Sequence, residues 1–145
     1  MKTMKGIVLA FGSFDLFHPG HLNYLESARK YGSKLIVIVA RDESIKTIKE
    51  RSPIFNEKDR VRVLKALKIV DNAVIGKKLR TPEDKYNIIK KYLPDVIAFG
   101  YDQKVDEKKL KKWLKKNNIK ARIVRIKAYN KKKYKSSIIK NKLGI

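Results

Sequence analysis

Both histidines of the chain lie in one stretch, Gly12-Ser13-Phe14-Asp15-Leu16-Phe17-His18-Pro19-Gly20-His21, three residues apart around a Pro-Gly turn. A turn of this kind opens a helix, and a helix start offers unpaired N–H groups and partial positive charge to an anion. Gly20 lets the backbone approach such a group closely, because no side chain stands in the way. Two imidazoles at that point can donate hydrogen bonds to phosphate oxygens. They can also carry positive charge as negative charge builds in a transition state. The plain alternative is a pair of capping or core histidines. An apolar run directly before the motif, followed by Gly-Ser-Phe-Asp, favours phosphate chemistry.

Other chemistries are excluded by what is missing. There is no cysteine, so disulfides, thiol nucleophiles and zinc–thiolate sites are ruled out, and the composition fits a reducing cytoplasm. No Gly-x-x-x-x-Gly-Lys-Ser/Thr is present, which removes a P-loop. No paired carboxylates or Ser-His-Asp arrangement stand out. No apolar run approaches the ~18–20 residues of a membrane span, and residues 6–10 are too short a stretch for a secretory leader. The expectation is a cytoplasmic chain without a membrane partner.

The 145 residues suit one domain, and 43% hydrophobic residues are enough for its core. Charge is uneven: 37 Lys and Arg stand against 14 acids, and no acid follows Glu107. Residues 1–107 carry +7 and residues 108–145 carry +16. Such a field favours nucleotides, phosphorylated metabolites, nucleic acid or acidic surfaces, without choosing among them.

The elements that must hold the histidine motif follow from periodicity. Apolar, mostly β-branched runs at 6–11, 35–40, 72–75, 95–99 and 122–126 read as buried strands. Between them, Leu22, Leu25 and Ala28 mark a helix ending near Gly32. Asn56 caps a second helix through Val61, Leu64 and Leu67. Thr81-Pro82-Glu83-Asp84 starts a third, through Tyr86, Ile89 and Leu93. Residues 106–116 form a fourth around Leu110, Trp113 and Leu114, and a short last helix begins at Ser136 or Ser137. Alternation of this kind predicts an α/β fold, a single-domain doubly wound parallel sheet spanning residues 1–145, with a basic C-terminal segment at about 127–145. Lys131-Lys132-Lys133 reads as an exposed loop. Ligands of such sheets gather beyond the strand carboxyl ends, at 12–21, 41–51, 76–81, 100–103 and 127–137.

The pattern Gly12-x-Phe14-Asp15-x-x-His18-x-Gly20-His21 resembles the signature of the HxGH nucleotidyltransferases, in their cytidylyltransferase-like branch. The resemblance covers nearly the whole chain and implies a Rossmann-like fold. It also implies transfer of a nucleoside monophosphate from a triphosphate to a phosphate-bearing acceptor, with release of pyrophosphate. Within the branch, glycerol-3-phosphate cytidylyltransferases end in a motif like Arg-Thr-Glu-Gly-Ile-Ser-Thr-Thr, whereas here Arg125 is followed by a longer approach to Ser136-Ser137-Ile138 without Thr-Glu-Gly. That is similar to the archaeal-type FAD synthases. So are Val39-Ala40-Arg41-Asp42, Arg51-x-Pro53-Ile54, Ala66-Leu67-Lys68-x-Val70-Asp71 and Phe99-Gly100-Tyr101-Asp102-Gln103. The implied reaction transfers AMP from ATP to FMN. CTP with glycerol 3-phosphate is the alternative.

The resemblance places Ser13, Phe14, His18, Pro19, Gly20 and His21 around the ATP phosphates, with His18 and His21 catalytic. Asp102 would meet the nucleoside, where a carboxylate can accept from a ribose hydroxyl or an exocyclic amine. Tyr129 would stack on adenine. Lys46, Lys49 and Arg51 are candidates for the acceptor phosphate or the triphosphate. Arg60 resembles the family's arginine on the following helix, with Arg62 as competitor. Ser136 and Ser137 could present hydroxyls and N–H groups to pyrophosphate. A divalent ion such as magnesium would enter with ATP, and no all-protein metal cage is visible. The attacking phosphate oxygen is already an anion, so no general base is required. The resemblance also leaves room for a homodimer. Tyr129 and Tyr134 among lysines give a third reading, nucleic-acid binding, against which the intact histidine motif argues.

Overall fold

The aliphatic runs become β1 (Ile7–Gly12), β2 (Lys34–Val39), β3 (Asn72–Ile75), β4 (Val96–Gly100) and β5 (Arg122–Ile126). The computed structural model describes residues 6–49, 51–130, 133 and 135–144, with Pro82 and Ser136 described by backbone alone. Lys131, Lys132 and Tyr134 of the expected basic loop lie outside the described residues, whereas Lys133 is exposed. All strand pairs are parallel, in the order β3-β2-β1-β4-β5. The chain steps outward from β1 to β3, then returns to place β4 on the other side of β1. The reversal therefore falls between β1 and β4, where open parallel sheets collect ligands.

Alternate residues feed two cores. Val8, Ala10, Leu35, Val37, Val96 and Ala98 face α1 (Pro19–Arg29) and α3 (Glu57–Lys65), meeting Leu25, Ala28 and Leu64. Leu9, Ile36, Ile38, Ile97 and Phe99 face the other way, towards α4 (Asn87–Tyr92) and α5 (Glu107–Lys116), meeting Ile88, Ile89, Leu110 and Leu114. Side chains also close the strand entries: Asp95 accepts the Ile7 N–H at 2.9 Å and Asp71 accepts the Leu35 N–H at 2.8 Å. Gly32 is needed where α1 turns back, since a Cβ there would stand 2.7 Å from the Gly6 carbonyl.

At two places the elements differ from those expected. Residues 42–49, to which periodicity assigns no element, form α2 (Asp42–Lys49), which buries Ile45 while Ile48 is 75% exposed. Ile45 and Ile48 stand three apart, but two apolar positions are too few to mark a helical stripe. The helix expected from Thr81 to Leu93 is broken into a 3-10 turn, Pro82–Tyr86, and α4. The Asp84 carboxylate reaches back to the Arg80 and Thr81 N–H groups at 2.7 and 2.8 Å, which tightens this first turn. A last helix, α6 (Ser136–Leu143), begins where expected. Among the described residues no helix is long and apolar enough to cross a membrane.

The strands flanking the reversal part company early. β1 pairs with β2 as far as Gly12, but with β4 only as far as Ala10. Phe11 thus turns its backbone groups towards a neighbour that has moved away. Tyr24 from α1 fills the gap: its hydroxyl accepts the Phe11 N–H at 3.1 Å and donates to the Ala98 carbonyl at 2.5 Å. Burial holds this phenol well above its ordinary pKa. Gln103 does the same on the solvent side, donating to the Phe11 carbonyl and accepting the Gly100 N–H. Tyr24→Phe leaves one donor and one acceptor unpaired and is expected to destabilise the fold by about 1–3 kcal/mol. Urea unfolding reads this as a lower midpoint at an unchanged slope. A midpoint equal to that of the wild type would show that the hydroxyl is dispensable.

Candidate active site

After Gly12 the backbone enters the left-handed region twice, at Phe14 (φ 54°) and Leu16 (φ 52°), an unfavourable conformation for residues with a Cβ. The Phe14 ring holds the loop there. It is 4% exposed, stacks on Tyr24 at 6.2 Å between centroids and meets His21 edge-on at 5.4 Å. Gly12 makes room for it, because a Cβ would come within 2.8 Å of the ring. Phe14, expected along the ATP phosphates, therefore offers them only its backbone; its side chain belongs to the core.

The two histidines cap α1 for each other. His18 is the N-cap: its Nδ1 accepts from the Gly20 and His21 N–H groups at 3.0 and 3.4 Å, while its own N–H donates to His21 Nδ1 at 3.3 Å. This is a capping box built from imidazoles rather than hydroxyl and carboxylate. The rings stack at 3.8 Å and 22°. With both Nδ1 atoms accepting, the ring protons sit on Nε2. Burial, then the neighbouring His18, pushes His21 down to about 3. Burial also lowers His18, against the pull of Asp102. A second proton on either ring would have to displace a cap bond in a crowded stack. What the pair offers an anion is neutral, oriented N–H donors.

Beneath the loop lies a polar clamp. The Asp15 carboxylate, 4% exposed, accepts the Ile54 and Phe55 N–H groups at 2.7 and 3.0 Å and pairs with Lys140 Nζ at 3.1 Å. Burial works to raise its pKa, but these bonds outweigh burial and hold it below 3.8. Arg60 is 2% exposed and donates to the Phe55 carbonyl at 3.0 Å, the Ser13 carbonyl at 2.8 Å and Asp42 at 2.7 Å. Expected as a phosphate or acceptor contact, Arg60 is instead enclosed as a post between three loops. The Asp42 N–H in turn donates to Glu57 at 2.9 Å, joining the starts of α2 and α3.

The other candidates divide. Lys49, at the end of α2, and Arg51 are exposed. The surrounding protein, then the Lys140 ammonium, lowers the Lys49 pKa, while the carboxylates of Asp102 and Asp15 oppose this. Lys49, Asp102 and the histidines thus share one field at the carboxyl ends of β1 and β4. Asp102 sits on a turn fastened by Arg125, which donates to the Gly100 and Gln103 carbonyls at 2.8 and 2.6 Å. Lys46 lies apart, on a hollow of about 380 Å³ lined also by Asp42, Glu43 and Asp59. Tyr129 is 51% exposed, and Ser137 is exposed in the first turn of α6. The side chain of Ser136 lies outside the described residues. Among the described residues no group of three His, Asp or Glu side chains could hold a metal ion.

Sequence reasoning assigned no role to Asp15, Lys140, Asp42, Gln103 or Arg125. Asp15 stands inside the motif and could have been weighed. The sequence carries no sign of Lys140, whose partner is 125 residues away.

The chain matches the family model described as cytidylyltransferase-like over residues 9–142. It is 47% identical over 133 residues to the FAD synthase of Archaeoglobus profundus, a match covering 90% of this chain and 80% of that one. With the FAD synthase of Ferroglobus placidus the identity is 49% over 121 residues, covering 83% and 76%. The solved structure of a protein described as the lipopolysaccharide core biosynthesis protein of Thermoplasma volcanium superposes with a TM-score of 0.78. Its identity is 38%, over 86% of this chain and 98% of that chain.

The neutral histidine pair has a pH signature. Folded His21 takes a proton only near about pH 3, against an ordinary value of 6.5 when unfolded. Between those values the unfolded chain binds more protons, so stability falls as pH falls. Asp15 adds to this lower down, since the stabilisation it gives above 3.8 is lost as pH drops through its folded value. The thermal midpoint is expected to decline below about pH 6.5, and His21→Gln to flatten the decline over the first two units or so. Nitrogen-15 spectra showing a protonated His21 at about pH 6 would contradict the neutral Nε2–H assignment.

Proposed function

Because the chain belongs to the cytidylyltransferase-like family, we propose that it is an FMN adenylyltransferase, joining the AMP of ATP to the phosphate of FMN to give FAD and pyrophosphate. The observation that carries this reading is the stacked, mutually capped pair His18 and His21 at the crevice between β1 and β4. The relatives named FAD synthase support the choice of substrates. A phosphate oxygen of FMN attacks the α-phosphorus of ATP in line, forming one P–O bond as the bond to the β-phosphate oxygen breaks and pyrophosphate leaves. No proton needs to be removed from the attacking oxygen, so the site requires no general base.

The chain's part is positioning and charge stabilisation. Nε2–H groups of His18 and His21 donate to the α-phosphate oxygens as negative charge builds there. Their neutrality removes any need to lose a proton on binding an anion, and their caps hold the rings in place beforehand. Lys49 and Arg51 offset the triphosphate charge, and Asp102 accepts from the nucleoside. Tyr129 stacks on adenine. The first turn of α6, with Ser136 and Ser137, receives the leaving pyrophosphate. ATP arrives with a divalent ion such as magnesium, which belongs to the substrate and neutralises part of the triphosphate.

Pyrophosphate release measured for ATP and CTP against FMN and glycerol 3-phosphate tests the reading. The pair ATP and FMN is expected to give FAD, with ATP preferred over CTP by at least about tenfold in kcat/KM, since polar groups matched to adenine are left unpaired by cytosine. CDP-glycerol formation with FMN untouched would overturn it.

His18→Ala and His21→Ala are each expected to lower kcat by about 10²–10³-fold, with smaller effects on KM for ATP. Near-wild-type turnover at saturating ATP in both folded variants would move the reaction centre elsewhere.

A further inference from the structure

Among the described residues three charged side chains are buried: Asp15, Arg60 and Lys140. They form one connected network, for the Phe55 peptide gives its N–H to Asp15 and its carbonyl to Arg60. Two members lie in or under the histidine loop. The third comes from α6, and its ion pair links that helix to the motif. Truncating one partner of a buried pair strands the other charge, so the contact strongly favours one seating of the helix.

The seating has a direction. Ser137 precedes Lys140 by three residues and Ser136 by four, so all three positions share one face of α6, a single turn apart. Long helical side chains lean towards the helix N-terminus, so anchoring Lys140 at Asp15 brings the first turn of α6 towards the loop. That turn begins at Lys135, whose side chain gives it no cap. The charge of Lys140 also reaches Lys49, whose own charge reaches His21.

We propose that Lys140 is a positioning residue for the nucleotide: through Asp15 it seats the first turn of α6 beside the histidine motif, so that the triphosphate meets both helix starts at once. The proposal rests on the nucleotidyltransferase reading. It assigns Lys140 no contact with substrate.

The test uses the full chain with Lys140→Met and Lys140→Arg. Lys140→Met is expected to weaken ATP binding, measured by calorimetry without FMN, by about tenfold, the size of a direct coupling between neighbouring groups. KM for FMN and kcat at saturating ATP are expected to stay within about twofold, and Lys140→Arg to recover most of the ATP affinity. In Lys140→Met without ligand, hydrogen exchange is expected to quicken at the Ile54 and Phe55 amides and in the first turn of α6. Asp15→Asn and the Asp15→Asn/Lys140→Met double variant are expected to bind ATP equally weakly, as members of one device do.

Unchanged ATP affinity in Lys140→Met, or a loss shared equally by FMN, overturns the proposal. So does a loss that Lys140→Arg fails to restore. If Lys140→Met does not fold, Lys140→Leu, which likewise cannot donate to Asp15, takes its place under the same criteria. A wild-type chain that binds ATP but makes no FAD would overturn the functional reading alone, because the affinity and exchange measurements need no turnover.

Discussion

The backbone of Phe11 sets the constraint from which the rest of the site follows. A parallel sheet that reverses its winding must leave one strand partly unaccompanied at the reversal, and a buried N–H or carbonyl without a partner costs about 1–3 kcal/mol. Here β1 and β4 separate after Ala10 and Ala98, two residues before either strand ends, and side chains from α1 and from the turn after β4 supply the missing partners. Because Tyr24 must reach Phe11, α1 has to begin close to the end of β1. His21 precedes Tyr24 by three residues and so shares its side of the helix, and the Phe14 ring touches both. Sealing the sheet and presenting the imidazoles are consequences of one helix placement.

The electrostatics work on two scales. The formal charge of +23 draws anions from a distance without distinguishing them. Within the site the arrangement is different: the histidines are neutral, and the buried charges are matched against one another. Asp15 has Lys140 and two peptide N–H groups, while Arg60 has Asp42 and two carbonyls. Selectivity at short range rests on the direction of donors held in place before the ligand arrives, not on the size of the surrounding field.

The five strands and their parallel order were legible because buried parallel strands are continuous apolar runs, and His18-x-Gly20-His21 was legible because its members are neighbours in the chain. What escaped was of two kinds. Elements with little apolar signal escaped: α2 buries only Ile45, and its helix-like charge order, Asp42 and Glu43 before Lys46 and Lys49, is the sign that would have marked it. Charged residues were assumed to face solvent or substrate, as most do. Arg60 broke that rule because carbonyls of Ser13 and Phe55, 47 and 5 residues away, happen to converge on it. No local pattern encodes that convergence. The ring tautomers are hidden for a related reason, since each Nδ1 is occupied by a backbone group whose position only the folded turn defines.

The clamp around Asp15 also has a calendar. Its first partners, Ile54 and Phe55, are synthesised some 39 and 40 residues after it, but Lys140 follows 125 residues later. At about 5–20 residues per second, a growing chain carries this carboxylate for roughly 6–25 seconds before its countercharge exists. During that interval β1 to β4 and α1 are made, and the histidines can cap α1 without Lys140. The nascent chain thus holds the peptide partners of this carboxylate well before it holds the countercharge.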